Sequence, residues 1–198
     1  DLVTIDLASF NPKLYSDQKI VGRVAGSRVV PYYTRQDIDI GKKLETTGSQ
    51  LAWLKDPIDV FFLQVQGSGI LRLPDGKMRR VGYAGANGHP YRSIGKYLLE
   101  KGVMAADEIT LQSLKDYLRN HPLERDEILS YNESYVFFRK MDGDPVGNIN
   151  VPLTPDRSVA LDHRIFPRGA LGWVQGRKPV VEAERVAGWQ DFSRFVLV

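Results

Sequence analysis

The sequence predicts a mainly β fold with an inserted mixed segment that carries two or three helices. Three observations predict it. Short runs rich in Val, Ile, Phe and Tyr, punctuated by Gly, Pro, Asn and Asp, occupy both ends of the chain. Between about residues 90 and 131, apolar side chains recur at helical spacing instead. No internal repeat or low-complexity stretch intervenes, so β, then mixed, then β is the plan of the whole chain.

Taken in order, Ile20 to Val24 and Arg28 to Tyr32 flank Ala25-Gly26-Ser27 and read as a hairpin. Thr34 is placed to cap a short helix that ends at Gly41, and residues 42–50 are polar and loop-like. Residues 59–83 read as a meander. Asp59 to Gln66 is its first strand, Gly67-Ser68-Gly69 breaks it, and Ile70 to Leu73 and Met78 to Tyr83 flank a Pro74-Asp75-Gly76 turn. Pro90 is expected in the first turn of a helix whose stripe is Ile94, Leu98 and Leu99, with Gly102 as its stop. A second helix starts near Thr110 on Leu111, Leu114 and Leu118 and closes at Pro122, and Leu123 to Tyr131 forms a third. Ser134 to Lys140 returns to strand. Ser158 to Leu161, Leu171 to Gln175, Pro179 to Val181 and the last seven residues continue it.

Composition excludes several function classes. The 198 residues carry 27 Lys and Arg against 24 Asp and Glu, a net charge of +3 that is too small for a dedicated nucleic-acid binder. No apolar run reaches the roughly 20 residues of a membrane-spanning helix. With Cys at 0, no disulfide frame exists, and a chain of this length buries roughly 70% of its unfolded surface without one. The chain opens on Asp1-Leu2-Val3-Thr4, without Met or a signal-type segment, and stops in an apolar run at Val198, so a processed or partial chain is expected.

Cofactor and metal chemistry find little support. Gly82, Gly85 and Gly88 are spaced G-x-x-G-x-x-G, not as a dinucleotide fingerprint requires. Asp142-Gly143-Asp144 lacks the Glu a calcium loop needs, since Leu153 stands at its twelfth position. His89, His121 and His163 share no ligand spacing, and Ser68 in Gly67-Ser68-Gly69 is no nucleophile elbow. No cofactor and no metal are expected.

The remaining signal is neutral polar groups interleaved with aromatics. On a strand, Gln64 and Gln66 would point to one face. Tyr83, Asn87, His89, Tyr91 and Arg92 follow in a glycine-rich loop. Amides, hydroxyls and flat aromatic faces suit a carbohydrate, and a tight loop that merely supports the next helix suits them equally. Asp162, beside Arg164 at the end of an expected strand, reads either as a site carboxylate or as a turn cap.

Phe61-Phe62-Leu63-Gln64-Val65-Gln66-Gly67-Ser68-Gly69 and Gly82 through Lys96 resemble the membrane-bound lytic murein transglycosylase A (MltA) family, as do Asn132 through Phe138. Val151 through Asp162 looks like the start of that family's three-aspartate domain. The resemblance implies a discontinuous double-psi β-barrel from residues 1–49 and 151–198, with a second mixed β-domain, 50–150, inserted into it. It implies a glycan groove with Gln64, Gln66, Ser68, Tyr83, Asn87, His89, Tyr91 and Arg92 as substrate-binding residues. The implied reaction cleaves the MurNAc–GlcNAc β-1,4 bond of peptidoglycan and closes a 1,6-anhydro ring with a single aspartic acid. The family's second and third aspartate motifs have no counterpart in residues 1–198. The resemblance therefore implies a principal acid beyond Val198, a supporting role for Asp162, and a 198-residue chain that binds glycan weakly or not at all and does not turn over. The expected partner is the peptidoglycan glycan strand, for a monomer in the periplasm that is lipid-anchored to the outer membrane or secreted. The rival readings are a non-catalytic glycan-binding module and a polysaccharide hydrolase.

Overall fold

A computed structural model describes residues 2–15, 18–143, 146–147, 151–182 and 185–198. Contacts divide the chain into two compact units, Asp1–Lys140 and Met141–Val198. Asp144, the second acid of the Asp142-Gly143-Asp144 run, lies outside the described residues. The fold is mainly β with a few helices, as the sequence predicts.

The first unit opens with an antiparallel sheet in the order β1 (Leu2–Asp6), β2 (Lys19–Ala25) and β3 (Arg28–Pro31). The expected hairpin is β2–β3, and it turns at Gly26 with φ +60°, where a side chain would be strained. Helix α1 (Arg35–Asp39) carries the expected cap. The Thr34 hydroxyl accepts from the Asp37 N–H at 3.2 Å, and the Asp37 carboxylate accepts from the Thr34 N–H at 2.9 Å.

The stretch expected as the first meander strand is instead helix α2 (Pro57–Gln66). Its termini explain the difference. The Asp56 carboxylate accepts from the Ile58 N–H at 2.8 Å, Pro57 takes the first turn, and Gly67 ends the helix at φ +76°. Ile58, Phe61 and Phe62 are buried at i, i+3 and i+4, a helical face that the Phe and Val content of the run obscures.

A second sheet has the order β4 (Ser68–Arg72), β5 (Met78–Ala86) and β6 (Val136–Met141). Ser68 pairs with Gly82, so the end of α2 lies next to the start of the glycine-rich loop. Helix α3 (Ile94–Glu100) begins later than Pro90 suggests, because Ser93 is the cap and accepts from the Lys96 N–H. Helices α4 (Leu111–Asn120) and α5 (Pro122–Tyr131) follow, and Pro122 opens α5 as well as closing α4.

The core is helical. Ile58, Phe61 and Phe62 of α2 pack with Ile94 and Leu98 of α3, Leu114 and Leu118 of α4, and Ile128 and Leu129 of α5. Leu118 is 0% exposed and Leu111 49%, so the predicted stripe is core from its second member onward, and its neighbours are helices rather than the sheet.

In the second unit the expected C-terminal runs merge into one long antiparallel hairpin, β7 (Leu171–Glu182) and β8 (Arg185–Leu197). Ser158 to Leu161 forms no strand. Ser158 makes a single parallel bridge to Leu197, and the Val159 N–H donates to the Leu197 carbonyl at 3.0 Å. Turns press in from both sides: Ser158 N–H donates back to Thr154, and the Asp162 carbonyl accepts from Ile165 and Phe166.

Candidate glycan-contact surface and its buried supports

The polar residues that the sequence singles out separate into a buried set and an exposed set. On a helix, residues two apart diverge by roughly 200°. Gln64 and Gln66 therefore do not share a face: Gln64 is 4% exposed, and Gln66 lies on the surface at the end of α2. The expectation of two amides on one strand face is corrected by the helix. The Gln64 Oε1 has no hydrogen-bond partner among the described residues. Burial raises the pKa of the nearby Tyr135 phenol, the Asp39 charge adds to this, and the Gln64 carboxamide opposes it.

Asn87, 1% exposed, is a support. Its Nδ2 donates to the carbonyls of Tyr33 and Glu133, both at 2.9 Å, and its Oδ1 accepts from the Tyr135 N–H at 2.8 Å. With these bonds its amide capacity is committed to main chain, which is what a buried carboxamide requires. His89 Nε2 donates to the Tyr32 carbonyl at 2.8 Å, which places its ring proton on that nitrogen. Gly88, at φ +82°, sits where a Cβ would come within 2.7 Å of Val21, so the loop can lie against β2 only with glycine there.

Two supports were not singled out by sequence reasoning. Asn132 accepts at Oδ1 from the Arg92 N–H at 3.1 Å and the Ser134 N–H at 3.2 Å. Arg35, fully buried, donates from Nε to the Asn132 carbonyl at 3.0 Å and from Nη2 to the Ser134 carbonyl at 2.6 Å. Its guanidinium lies 4.7 Å from the Phe61 ring centre and 5.3 Å from that of Tyr135, and its Nη1 reaches Asp39 at 3.4 Å. Burial lowers the Arg35 pKa, and Asp39 and Tyr135 hold it up. No local pattern announces this role, because the partners stand 97 and 99 residues away.

Those buried groups hold a short stretch, 132–135, against the loop 87–92 and the start of α1. The side chains left at the surface are Gln66, Ser68, Tyr83, Tyr91 and Arg92, with Tyr83 56% and Tyr91 57% exposed. Flat aromatic faces, an amide, a hydroxyl and a guanidinium are groups suited to sugars, and none of them is consumed by the core.

Asp162 belongs to the second unit and stands in a turn, not at a strand end. Its carboxylate takes a two-pronged contact from Arg164, 3.0 Å from Nε to Oδ1 and 2.7 Å from Nη2 to Oδ2, and also accepts the Arg164 N–H at 3.0 Å. The Arg164 side chain first, then its backbone N–H, holds the Asp162 pKa below the usual carboxylate range. That is the wrong direction for a general acid at neutral pH and the right one for a permanent negative charge. A concavity of ≈ 430 Å³ on the β7–β8 hairpin is lined by Gln175, Arg177, Asp191 and Ser193 among others. Its carboxylate, Asp191, is exposed and 3.6 Å from Arg177, so it offers no desolvated acid either.

Comparison with known proteins gives a consistent result. Residues 1–139 match the family described as the MltA specific insert domain. The membrane-bound lytic murein transglycosylase A of Vibrio cholerae is 38% identical over 139 residues, which is 69% of this chain and 38% of that protein. The chain thus spans well under half of that relative's length. A crystal structure of a membrane-bound lytic murein transglycosylase from Agrobacterium tumefaciens superposes with a TM-score of 0.77 at 31% identity, over 99% of this chain and 53% of the other. The Escherichia coli MltA structure with bound chitohexaose gives 0.68 at 29% identity, over 89% and 55%.

Proposed function

The chain belongs to the MltA family, and from that premise we propose that it serves a peptidoglycan lytic transglycosylase and supplies one wall of its glycan site. The observation that carries the reading is the division just described. Asn87, Asn132 and Arg35 are buried and hydrogen-bonded to main-chain groups of this region, while Tyr83, Tyr91 and Arg92 stay exposed. A wall for a flexible polysaccharide requires rigid placement of a few neutral donors and flat faces. Gln66, Ser68, Tyr83, Tyr91 and Arg92 are the contacts in this reading. Gln64, Asn87 and His89 act one layer beneath.

The reaction follows from the family. A single carboxylic acid protonates the glycosidic oxygen and, as carboxylate, takes the proton of the C6 hydroxyl of the same MurNAc. That hydroxyl attacks C1, closing the 1,6-anhydro ring without water, and the intramolecular attack benefits from a high effective molarity. Asp162 contributes a fixed negative charge that disfavours ionisation of a neighbouring acid. The accompanying domain plan assigns residues 1–49 and 151–198 to a double-psi barrel and 50–150 to the insert. Only the insert's upper boundary lies close to the break in packing at Lys140–Met141; residues 1–49 pack in one unit with 50–140. The membrane-bound relatives support an envelope location in the periplasm, with outer-membrane anchoring or secretion as the finer alternatives. No helix among the described residues is long and apolar enough to cross a membrane. A monomer is part of the reading.

Product mass tests it. Purified sacculi incubated with the complete protein should yield 1,6-anhydro muropeptides, lighter by one water than hydrolysis products. Hydrated products alone would make the protein a hydrolase, and binding without product would make it a glycan-binding module.

A further inference from the structure

We propose that Arg92 makes this wall selective for anionic glycan by receiving a carboxylate carried by the muramyl part of the strand. The proposal rests on the glycan-binding reading above. A chain of N-acetylglucosamine alone presents hydroxyls and acetamides. A muramyl residue adds a lactyl carboxyl group, free in a peptide-free strand, or joined to a stem peptide whose own carboxylates then carry the charge.

The seat of Arg92 is built, not incidental. Its N–H donates to Oδ1 of the buried Asn132 at 3.1 Å, and the Asn132 carbonyl is in turn held by Arg35 at 3.0 Å. The backbone at Arg92 is thereby tied to the interior. Its guanidinium lies 5.9 Å from the centre of the Tyr131 ring, at the outer limit of a cation–π contact.

The donors of that guanidinium are mostly uncommitted. Its one ion pair among the described residues is Nη2 to Glu133 Oε2 at 3.6 Å, and the side chain is 49% exposed. A charge-assisted bond closes to about 2.7–2.9 Å, so this pair is loose. Arg164 shows the filled alternative, with its fork taken by Asp162 at 2.7–3.1 Å. The planar fork of an arginine matches a carboxylate in two-pronged geometry, and here the matching position is open. An incoming carboxylate with two-pronged geometry displaces the loosely paired Glu133.

The test compares affinities of the complete protein, read before any product forms, for three probes: neutral chitohexaose, a peptide-free GlcNAc–MurNAc strand of equal length, and the same strand bearing stem peptides. Arg92→Gln should lower the ratio of muramyl-strand to chitohexaose affinity about tenfold, the loss of one charge-assisted contact. Arg92→Lys, which keeps the charge but not the fork, should fall between. Glu133→Gln should raise the ratio about twofold by removing a competing carboxylate. That gain is not expected of a residue that only supports the loop. A change seen with the peptide-free strand assigns the lactyl carboxylate, and one confined to the peptide-bearing strand assigns the stem. Equal loss for all probes in Arg92→Gln, or an unchanged ratio in both Arg92→Gln and Glu133→Gln, overturns the role of Arg92 and leaves the glycan reading standing. Binding of none of the probes by the unaltered complete protein overturns the glycan reading and this proposal with it. If Arg92→Gln does not fold, the Glu133→Gln ratio decides.

Discussion

The loop around Asn87 and the turn around Asp162 both rest on polar side chains, but their hydrogen bonds span very different lengths of chain. Asn87 joins backbone groups 54 and 46 residues away, is buried, and is repeated in kind by Asn132 and Arg35. Asp162 is held by Arg164, two residues on, at the surface. The first arrangement fixes the position of a surface relative to a core. The second fixes only the local shape of a turn and the charge of one carboxylate. Polar side chains therefore differ in what they can do for a site, and burial with distant partners makes the difference.

The comparison can be broken most directly at Asn87. Asn87→Ala takes this partner from the Tyr33 carbonyl, the Glu133 carbonyl and the Tyr135 N–H; the Glu133 carbonyl keeps the Arg35 N–H at 3.2 Å, so the expected cost is about 1–3 kcal/mol for each of the other two. Urea unfolding should show the summed loss, and a cost below that of a single bond would mean that the loop is not held as described. Next comes the packing on which the clamp stands. Leu118→Ala should cost about 2–5 kcal/mol by opening a cavity, while Leu111→Ala, at a site 49% exposed, should stay within about 0.5 kcal/mol. Similar values for the two leucines would contradict the burial difference between them.

At the surface the expected effects move from stability to binding. Tyr91→Ala should leave the unfolding midpoint essentially unchanged while weakening glycan affinity by about 1 kcal/mol or more. A loss of stability without a loss of affinity would return Tyr91 to a structural role. The smallest effect lies at Asp162. Its folded pKa is below the ordinary aspartate value, so its favourable contribution is present above that ordinary value and is lost as pH falls through the folded one. Carbon-detected NMR titration should find the depressed midpoint, and Arg164→Ala should return it toward the ordinary value. In the complete protein, Asp162→Asn should lower muropeptide release and shift the pH optimum downward with the fold intact, because removing a nearby negative charge lets the general acid ionise earlier. Unchanged release and pH profile would leave Asp162 as a turn cap.

Much of this was legible in the residues themselves. The Thr34 cap, the Gly26 and Gly76 turns, the three helices after Ser93 and the β2–β3 and β4–β5 hairpins follow from patterns that span a few residues. The motif around Gly82 to Arg92 also stood out, because aromatic and amide residues cluster there in sequence. Helix α2 was misread although its start and stop signals were present, since Asp56-Pro57 and Gly67 were outweighed by the strand-forming content of Phe61 to Val65.

What the sequence by itself determined is therefore the local grammar of the chain: where elements turn and cap, and which segment gathers sugar-compatible side chains. Tertiary structure alone decided which of those side chains remain outside. Gln64 and Asn87 look as available as Gln66 and Tyr91 when read along the chain, but they are buried, and Asn132 and Arg35, which no local pattern marks as supports, hold the loop beside them. The physical reason is that capping and periodicity are set by neighbours within a turn or two. The partner that satisfies a buried amide or guanidinium can be any backbone group that folding brings within 3 Å or so, and here it stands as many as 99 residues away.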